Sequence, residues 1–206
     1  MYKLYYSPFS CSLAVHIALE KIGADFELEK VDVRKGVHCK EEFLRLNKRG
    51  KVPLLQDGDL FVDQGAAILL YLSDKHPESE MMPAANDPNR AAAISALFYM
   101  SNTVHPTLGM AFYPARFSHG DSNDVLSKAI EKTKLLLEEF DQELTDKSYL
   151  NGAKPYSGDY YLTVMLNWLP LFKISLDPYP NLKAYKQRMG DLPEVGRASG
   201  KEMREL

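Results

Sequence analysis

Hydrophobic and polar positions follow two different periods along the first eighty residues. Lys3 to Tyr6 is short and aromatic and stops at Ser7-Pro8, which predicts a strand running into a turn. From Ser12 the period lengthens: Leu13 and Ile17 lie four apart, as do Val15 and Leu19, with Ile22 three further on and Gly23 as a stop. That spacing predicts a helix beginning at or beside Cys11. Phe26 to Val33 alternates apolar and charged side chains and predicts a second strand. Strand, helix and strand in this order suggest a parallel crossover. A short helix near Glu41 to Leu46 follows, then apolar runs at Val52 to Gln56 and Leu60 to Val62 around Asp57-Gly58, a strong hairpin signal. Gln64 to Lys75 resumes helical spacing, with Ala67, Leu70 and Tyr71 on one side. The predicted order is βαβ, helix, ββα, an α/β layer in which a small sheet carries helices on its faces.

His76 to Pro88 changes character, with Pro77, Pro83 and Pro88 and few large apolar groups besides Met81 and Met82, and reads as a linker or wrapping segment. Beyond it only helices are expected: Arg90 to about Arg116, the amphipathic Val125 to Leu144, a more uniformly apolar Asp159 to Phe172, and Leu182 to Met189. The tail after Pro193 is polar and carries no predicted element. The expected division is residues 1–76, a connecting segment 77–88, and an all-helical part over 89–206.

Composition narrows the function classes. A chain of 206 residues with 45% hydrophobic positions buries roughly 70% of its unfolded surface, so a folded core is expected. Lys and Arg number 25 against 28 for Asp and Glu, and no basic run exceeds a pair, which argues against nucleic acid as a partner. The longest apolar run, Ala66 to Leu72, is too short to span a membrane, and the first residues leave no room for a signal peptide, so a soluble cytoplasmic protein is expected. The two cysteines, Cys11 and Cys39, form no C-x-x-C pair, and the five histidines form no i, i+4 pair, so neither a disulfide framework nor a metal site is expected.

Cys11 is where local physics predicts reactivity, because a thiol at the first turn of a helix faces unpaired N–H groups and the positive dipole end, which favour a thiolate. The plain alternative is a buried small hydrophobe. Ser12 is either a donor to a bound thiolate or an N-cap. Pro53 inside an apolar run confines that strand to an edge, or marks a strand start; an edge would leave the Val52 backbone free to pair with an extended peptide-like ligand. Gln64-Gly65 opens a helix directly after a strand, a place suited to a carboxylate, with Lys35 and Lys51 available to neutralise a second one. His105 in a helix and Tyr6 in a strand are each packing groups or participants in chemistry.

These features together resemble the cytosolic glutathione transferase superfamily, over almost the whole chain. The segment Tyr5-Tyr6-Ser7-Pro8-Phe9-Ser10-Cys11-Ser12 is similar to the start of the bacterial beta class, and Asn47-Lys48-Arg49-Gly50-Lys51-Val52-Pro53 to the family's N-P-x-G-x-V-P segment apart from Lys48. The resemblance implies a thioredoxin-like first domain, a cis Val52-Pro53 bond presenting backbone to glutathione, and a γ-glutamyl site at Gln64-Gly65. It implies that Cys11, His105, Tyr6 and Ser12 serve catalysis, with Lys35, Lys51, Asn102 and Thr103 completing the glutathione contacts. Four departures stand out: Gln64 in place of a glutamate, Phe98 in place of an asparagine, Phe9-Ser10 in place of a small Gly-Ala pair, which narrows the approach to Cys11, and a capping box written Tyr156-Ser157-Gly158-Asp159 whose hydroxyl residue is shifted or replaced. The implied activity is conjugation of glutathione, as co-substrate and without metal, to a small apolar electrophile by a homodimer. The alternatives are a glutathione-dependent thiol-disulfide reductase or peroxidase using Cys11, in which Cys11 forms a mixed disulfide, and a non-catalytic carrier or interaction protein that keeps the fold.

Overall fold

The computed structural model describes residues 1–205; the last position of the expected helical part, Leu206, lies outside the described residues. Strands β1 (Tyr2–Tyr6), β2 (Phe26–Lys30), β3 (Leu54–Asp57) and β4 (Leu60–Asp63) form one sheet in the order β2-β1-β3-β4. β1 runs parallel to β2 with α1 (Ser12–Ile22) as the crossover, and antiparallel to β3, which pairs antiparallel with β4 around the Asp57-Gly58 turn. β2 ends at Lys30, short of the expected Val33, where the chain turns in after the buried Val31 donates its N–H to the Tyr6 carbonyl at 2.7 Å. Alternation along β1 decides the layers. Tyr6 meets His16 of α1 on one face, while Tyr5 meets Phe43 of α2 (Glu41–Leu46) on the other.

α1 is buried on every side from Ser12 to Glu20, because it packs against β1, against α3 (Gly65–Lys75) and against a C-terminal helix. That helix, α9 (Pro193–Met203), lies where the sequence predicted no element. Its buried positions are Glu194, Val195, Ala198 and Glu202, and since two are carboxylates the apolar period is too thin to read.

Two compact units result, divided otherwise than expected. Met1–Ala84 and Gly190–Leu206 make the first, and Ala85–Met189 the second. The chain end therefore belongs to the N-terminal unit, and so does most of the expected linker, with Met81 and Met82 buried in it.

The second unit is helical: α4 (Arg90–Tyr99), α5 (His105–Phe112), α6 (Asn123–Glu143), α7 (Ser157–Trp168) and α8 (Pro180–Gly190). The single helix expected over Arg90 to about Arg116 is broken. A π turn at Met100–Val104 separates α4 from α5, and α5 stops at Phe112. Pro106 lacks the N–H that a regular ladder requires, and the wider turn directly before it absorbs the mismatch. α7 is buried from Ser157 to Leu166, and a Cβ at Gly158 would sit 3.4 Å from the Leu97 nitrogen, so the glycine permits a close approach to α4. Asp159 closes half of the capping box: its carboxylate accepts the N–H of Tyr156 at 2.8 Å, the N–H of Leu150 at 2.9 Å and the hydroxyl of Tyr185 at 3.0 Å. Among the described residues no helix is long and apolar enough to cross a membrane.

Asp159 is fully buried, and burial outweighs its three donors, pushing its carboxyl up from 3.8 to about 6. Between those values the folded protein holds a proton that the unfolded chain has released, so the contribution is present below the lower value and is lost as pH rises through the upper one. Urea unfolding from pH 4 to 7 should show the wild type losing roughly 3 kcal/mol relative to Asp159→Asn. Asp159→Ala, which strands three buried donors, should cost about 2–4 kcal/mol at neutral pH.

Candidate functional site

The ladder register brings several chain segments to one end of the sheet. Tyr5 pairs with Leu54, and Leu54 with Asp63, so the residues just beyond these pairs, Tyr6, Pro53 and Gln64, come level where α1 and α3 begin. β3 is interior, which overturns the edge-strand expectation for Pro53. Pro53 instead precedes the first paired residue, and the ladder ends before Val52. The Val52-Pro53 peptide is cis. Gly50 leads into it at φ 55°, and a Cβ there would meet the His38 carbonyl oxygen at 2.9 Å, so the loop requires glycine.

Cys11 sits immediately before α1, partly exposed, and its Sγ–H donates to the Val52 carbonyl at 3.6 Å. Burial pushes the thiol up to about 12, against the downward pull of its own and the Ser12 backbone N–H and of the Lys51 charge. In the ligand-free protein desolvation therefore opposes the expected thiolate and outweighs the pull of the helix end.

Ser12 is neither the N-cap nor a free donor. Its buried Oγ donates to the Ser7 carbonyl at 3.1 Å, accepts the Ser7 N–H at 3.2 Å and lies 2.7 Å from the Ser10 hydroxyl, stapling the loop before Cys11. Tyr6 is 2% exposed, packed edge-on to His16, and burial pushes its phenol up to about 12, so the fold uses it as core rather than as the expected catalytic hydroxyl. Lys35 is exposed and pairs with Asp32 at 3.3 Å, whereas Lys51 lies close enough to act on the Cys11 thiol. Gln64 holds φ 71° and ψ 114° at the N-cap of α3, an unusual conformation for a residue with a Cβ, and Gly65 behind it is buried. The neighbouring Asp63 pairs with Arg49 at 2.7 Å.

The remaining expected residues belong to the second unit. Asn102 and Thr103 lie on the π turn, Asn102 exposed and Thr103 partly so. His105 follows at the start of α5, its Nδ1 2.9 Å from the Tyr161 hydroxyl and its ring against Trp168. Burial lowers its pKa to about 4, leaving a neutral imidazole at physiological pH. Phe98, the departure noted above, is 42% exposed on α4.

Sequence reasoning missed what holds the Cys11 loop from behind. Glu202 of α9, 0% exposed, accepts the Phe9 N–H at 2.6 Å through one oxygen and faces His16 Nδ1 at 2.9 Å through the other. No local pattern joins residues so far apart; the only signal was a glutamate at helical spacing from Val195 and Ala198.

Two family models match the chain: the glutathione S-transferase N-terminal domain over residues 1–74 and its C-terminal domain over residues 100–193. Glutathione S-transferase GstA of Escherichia coli O157:H7 is 32% identical over 203 residues, covering 97% of this chain and 98% of the relative. A beta class glutathione S-transferase structure from Sphingomonas chungbukensis is 37% identical with a TM-score of 0.86, over 97% of this chain and 98% of that one. A sphingomonad glutathione S-transferase complexed with glutathione is 36% identical with a TM-score of 0.87 over the same shares. With a sheet of this topology, a cis proline beside a helix-start cysteine and relatives matched from end to end, the chain belongs to the glutathione S-transferase family.

Proposed function

We propose that this protein conjugates glutathione to small apolar electrophiles, with the tripeptide seated at the sheet end formed by Cys11, Val52-Pro53 and Gln64-Gly65. The Val52 backbone, outside the sheet ladder, offers peptide pairing to the cysteinyl part, and the α3 N-terminus offers N–H groups to the γ-glutamyl carboxylate. A glutathione-bound relative supports the choice of tripeptide. Gln64 presents a neutral amide to the amino group, and Asp63 is the nearest acid, although Arg49 already claims it.

One observation carries the division of labour: the Cys11 Sγ lies 3.6 Å from the Val52 carbonyl, a contact that a thiol can make as donor and a thiolate cannot, and burial pushes the group toward the thiol. Thiol-disulfide exchange by Cys11 needs its own thiolate, whereas conjugation needs the thiolate on glutathione. When glutathione pairs with Val52, the Cys11 S–H is freed to donate to the ligand sulfur and so stabilise its anion. The glutathione sulfur then attacks the electrophilic carbon, a C–S bond forms, and the leaving group departs with the bonding pair; the thiol proton has already passed to solvent. The family resemblance also implies a part for His105, whose imidazole is neutral at physiological pH, so His105→Ala should lower turnover.

Iodoacetamide at neutral pH should alkylate Cys39, which is exposed, ahead of Cys11 in the ligand-free protein. Conjugation of glutathione to an aromatic halide should survive in Cys11→Ala, slowed about tenfold by loss of one hydrogen bond to the sulfur. Complete loss of turnover, with Cys11 labelled first, would instead favour the reductase reading. Absence of glutathione binding by calorimetry would favour a non-catalytic carrier.

Dimerisation is part of the same proposal. Met100 is buried within its own unit, but Phe98 on α4 is 42% exposed and Leu135 on α6 is 60% exposed. Light scattering at micromolar protein should give twice the chain mass, and Phe98→Glu should shift it toward the monomer.

A further inference from the structure

The loop before Cys11 adopts a conformation that its own residues do not favour. Phe9 has φ 54°, the left-handed region that a residue with a Cβ rarely occupies, and it comes two positions before the cysteine. Its N–H points away from the site, into the first unit, where the Glu202 Oε2 accepts it at 2.6 Å. The other oxygen, Oε1, accepts from His16 Nδ1 at 2.9 Å, and His16, like Glu202, is 0% exposed. Since a carboxylate only accepts, the imidazole proton lies on Nδ1. His16 stands on α1 just over one turn beyond Cys11, so both ends of the Glu202 carboxylate grip the segment that carries the thiol.

α9 has a second anchor, joined to the first through His16, whose Nε2 lies 3.8 Å from Glu20 Oε1. Arg197 Nε donates to Glu20 Oε2 at 2.8 Å and Lys201 Nζ lies 2.6 Å from Glu20 Oε1, at the far end of α1. This anchor docks the helix without contact to the loop, which distinguishes what Glu202 does for the thiol from what α9 does for the fold.

We propose that Glu202 is a positioning residue for Cys11: by holding the Phe9 N–H it fixes the Ser7 to Ser10 loop so that the Sγ stays against the Val52 carbonyl. The inference rests on the reading of Cys11 as a shielded donor. A carboxylate suits the place because it satisfies two buried donors at once. Glutamine retains an acceptor for Phe9 and turns its amide N–H toward His16, which can accept once its proton moves to Nε2, an atom with no hydrogen-bond partner among the described residues.

The test is the rate of Cys11 alkylation by iodoacetamide at neutral pH, followed by peptide mass so that Cys39 is scored separately, together with kcat and KM for glutathione. Glu202→Ala should raise Cys11 labelling about tenfold or more, as the Sγ leaves the Val52 carbonyl, and should raise KM for glutathione more than it lowers kcat. Glu202→Asp, which withdraws the carboxylate from Phe9 while keeping its charge, should also accelerate labelling and serves if the alanine variant does not fold. Glu202→Gln should remain near wild type. The paired variant Arg197→Ala with Lys201→Ala should lower Tm and leave Cys11 labelling unchanged. Unchanged labelling in Glu202→Ala and Glu202→Asp, or equal acceleration in the Arg197 and Lys201 pair, overturns the inference. Rapid Cys11 labelling in the wild type would instead overturn the shielded-donor reading beneath it.

Discussion

The register of the β1–β3–β4 ladder is the constraint on which the rest of the site depends. Because Leu54 pairs with both Tyr5 and Asp63, the end of β1, the start of β3 and the end of β4 lie at one end of the sheet, where α1 and α3 also begin. A slip of one residue would turn Leu4 and Leu55 from the face shared with α1 to the face shared with α2, exposing or overfilling both layers. Core packing and site geometry are therefore set together: the alternation that buries Leu4 and Leu55 also sets Val52 beside Cys11.

Within that frame two effects compete at the cysteine, and their sizes decide the outcome. The positive end of a helix is worth about 0.3–1 kcal/mol, which lowers a thiol pKa by less than 1. Burial acts the other way and carries Cys11 from 9.0 up to about 12. The helix start still matters, because its N–H groups remain available to an anion that a ligand brings. The same balance holds at Asp159 and His105, where desolvation favours the neutral form of each group.

Much of this was legible in the residue pattern. The two periods located every strand and the α-helices before the last, with α4 and α5 read as one, the Asp57-Gly58 turn marked the hairpin, and the strand-turn-helix corner singled out Cys11 before any family was considered. What escaped notice has a common cause. α9 hides because its inward face includes Glu202, the Cys11 loop is held by a group 193 positions away from Phe9, and the break at Met100–Val104 follows from the helix's need to accommodate Pro106. Each is a long-range or backbone accommodation that side-chain periodicity does not encode. The opposition to a thiolate at Cys11 escaped notice for a related reason: helix position is local and readable, but burial is set by the whole unit.

A crystal structure of the protein with glutathione tests the central claim most directly. The account predicts that the cysteinyl amide of the ligand pairs with the Val52 backbone, that the Cys11 Sγ leaves the Val52 carbonyl to face the ligand sulfur without a covalent bond, and that the γ-glutamyl carboxylate meets the N–H groups at Gln64-Gly65. A continuous Cys11 to glutathione disulfide under reducing conditions, or a ligand bound away from Val52-Pro53, would contradict it.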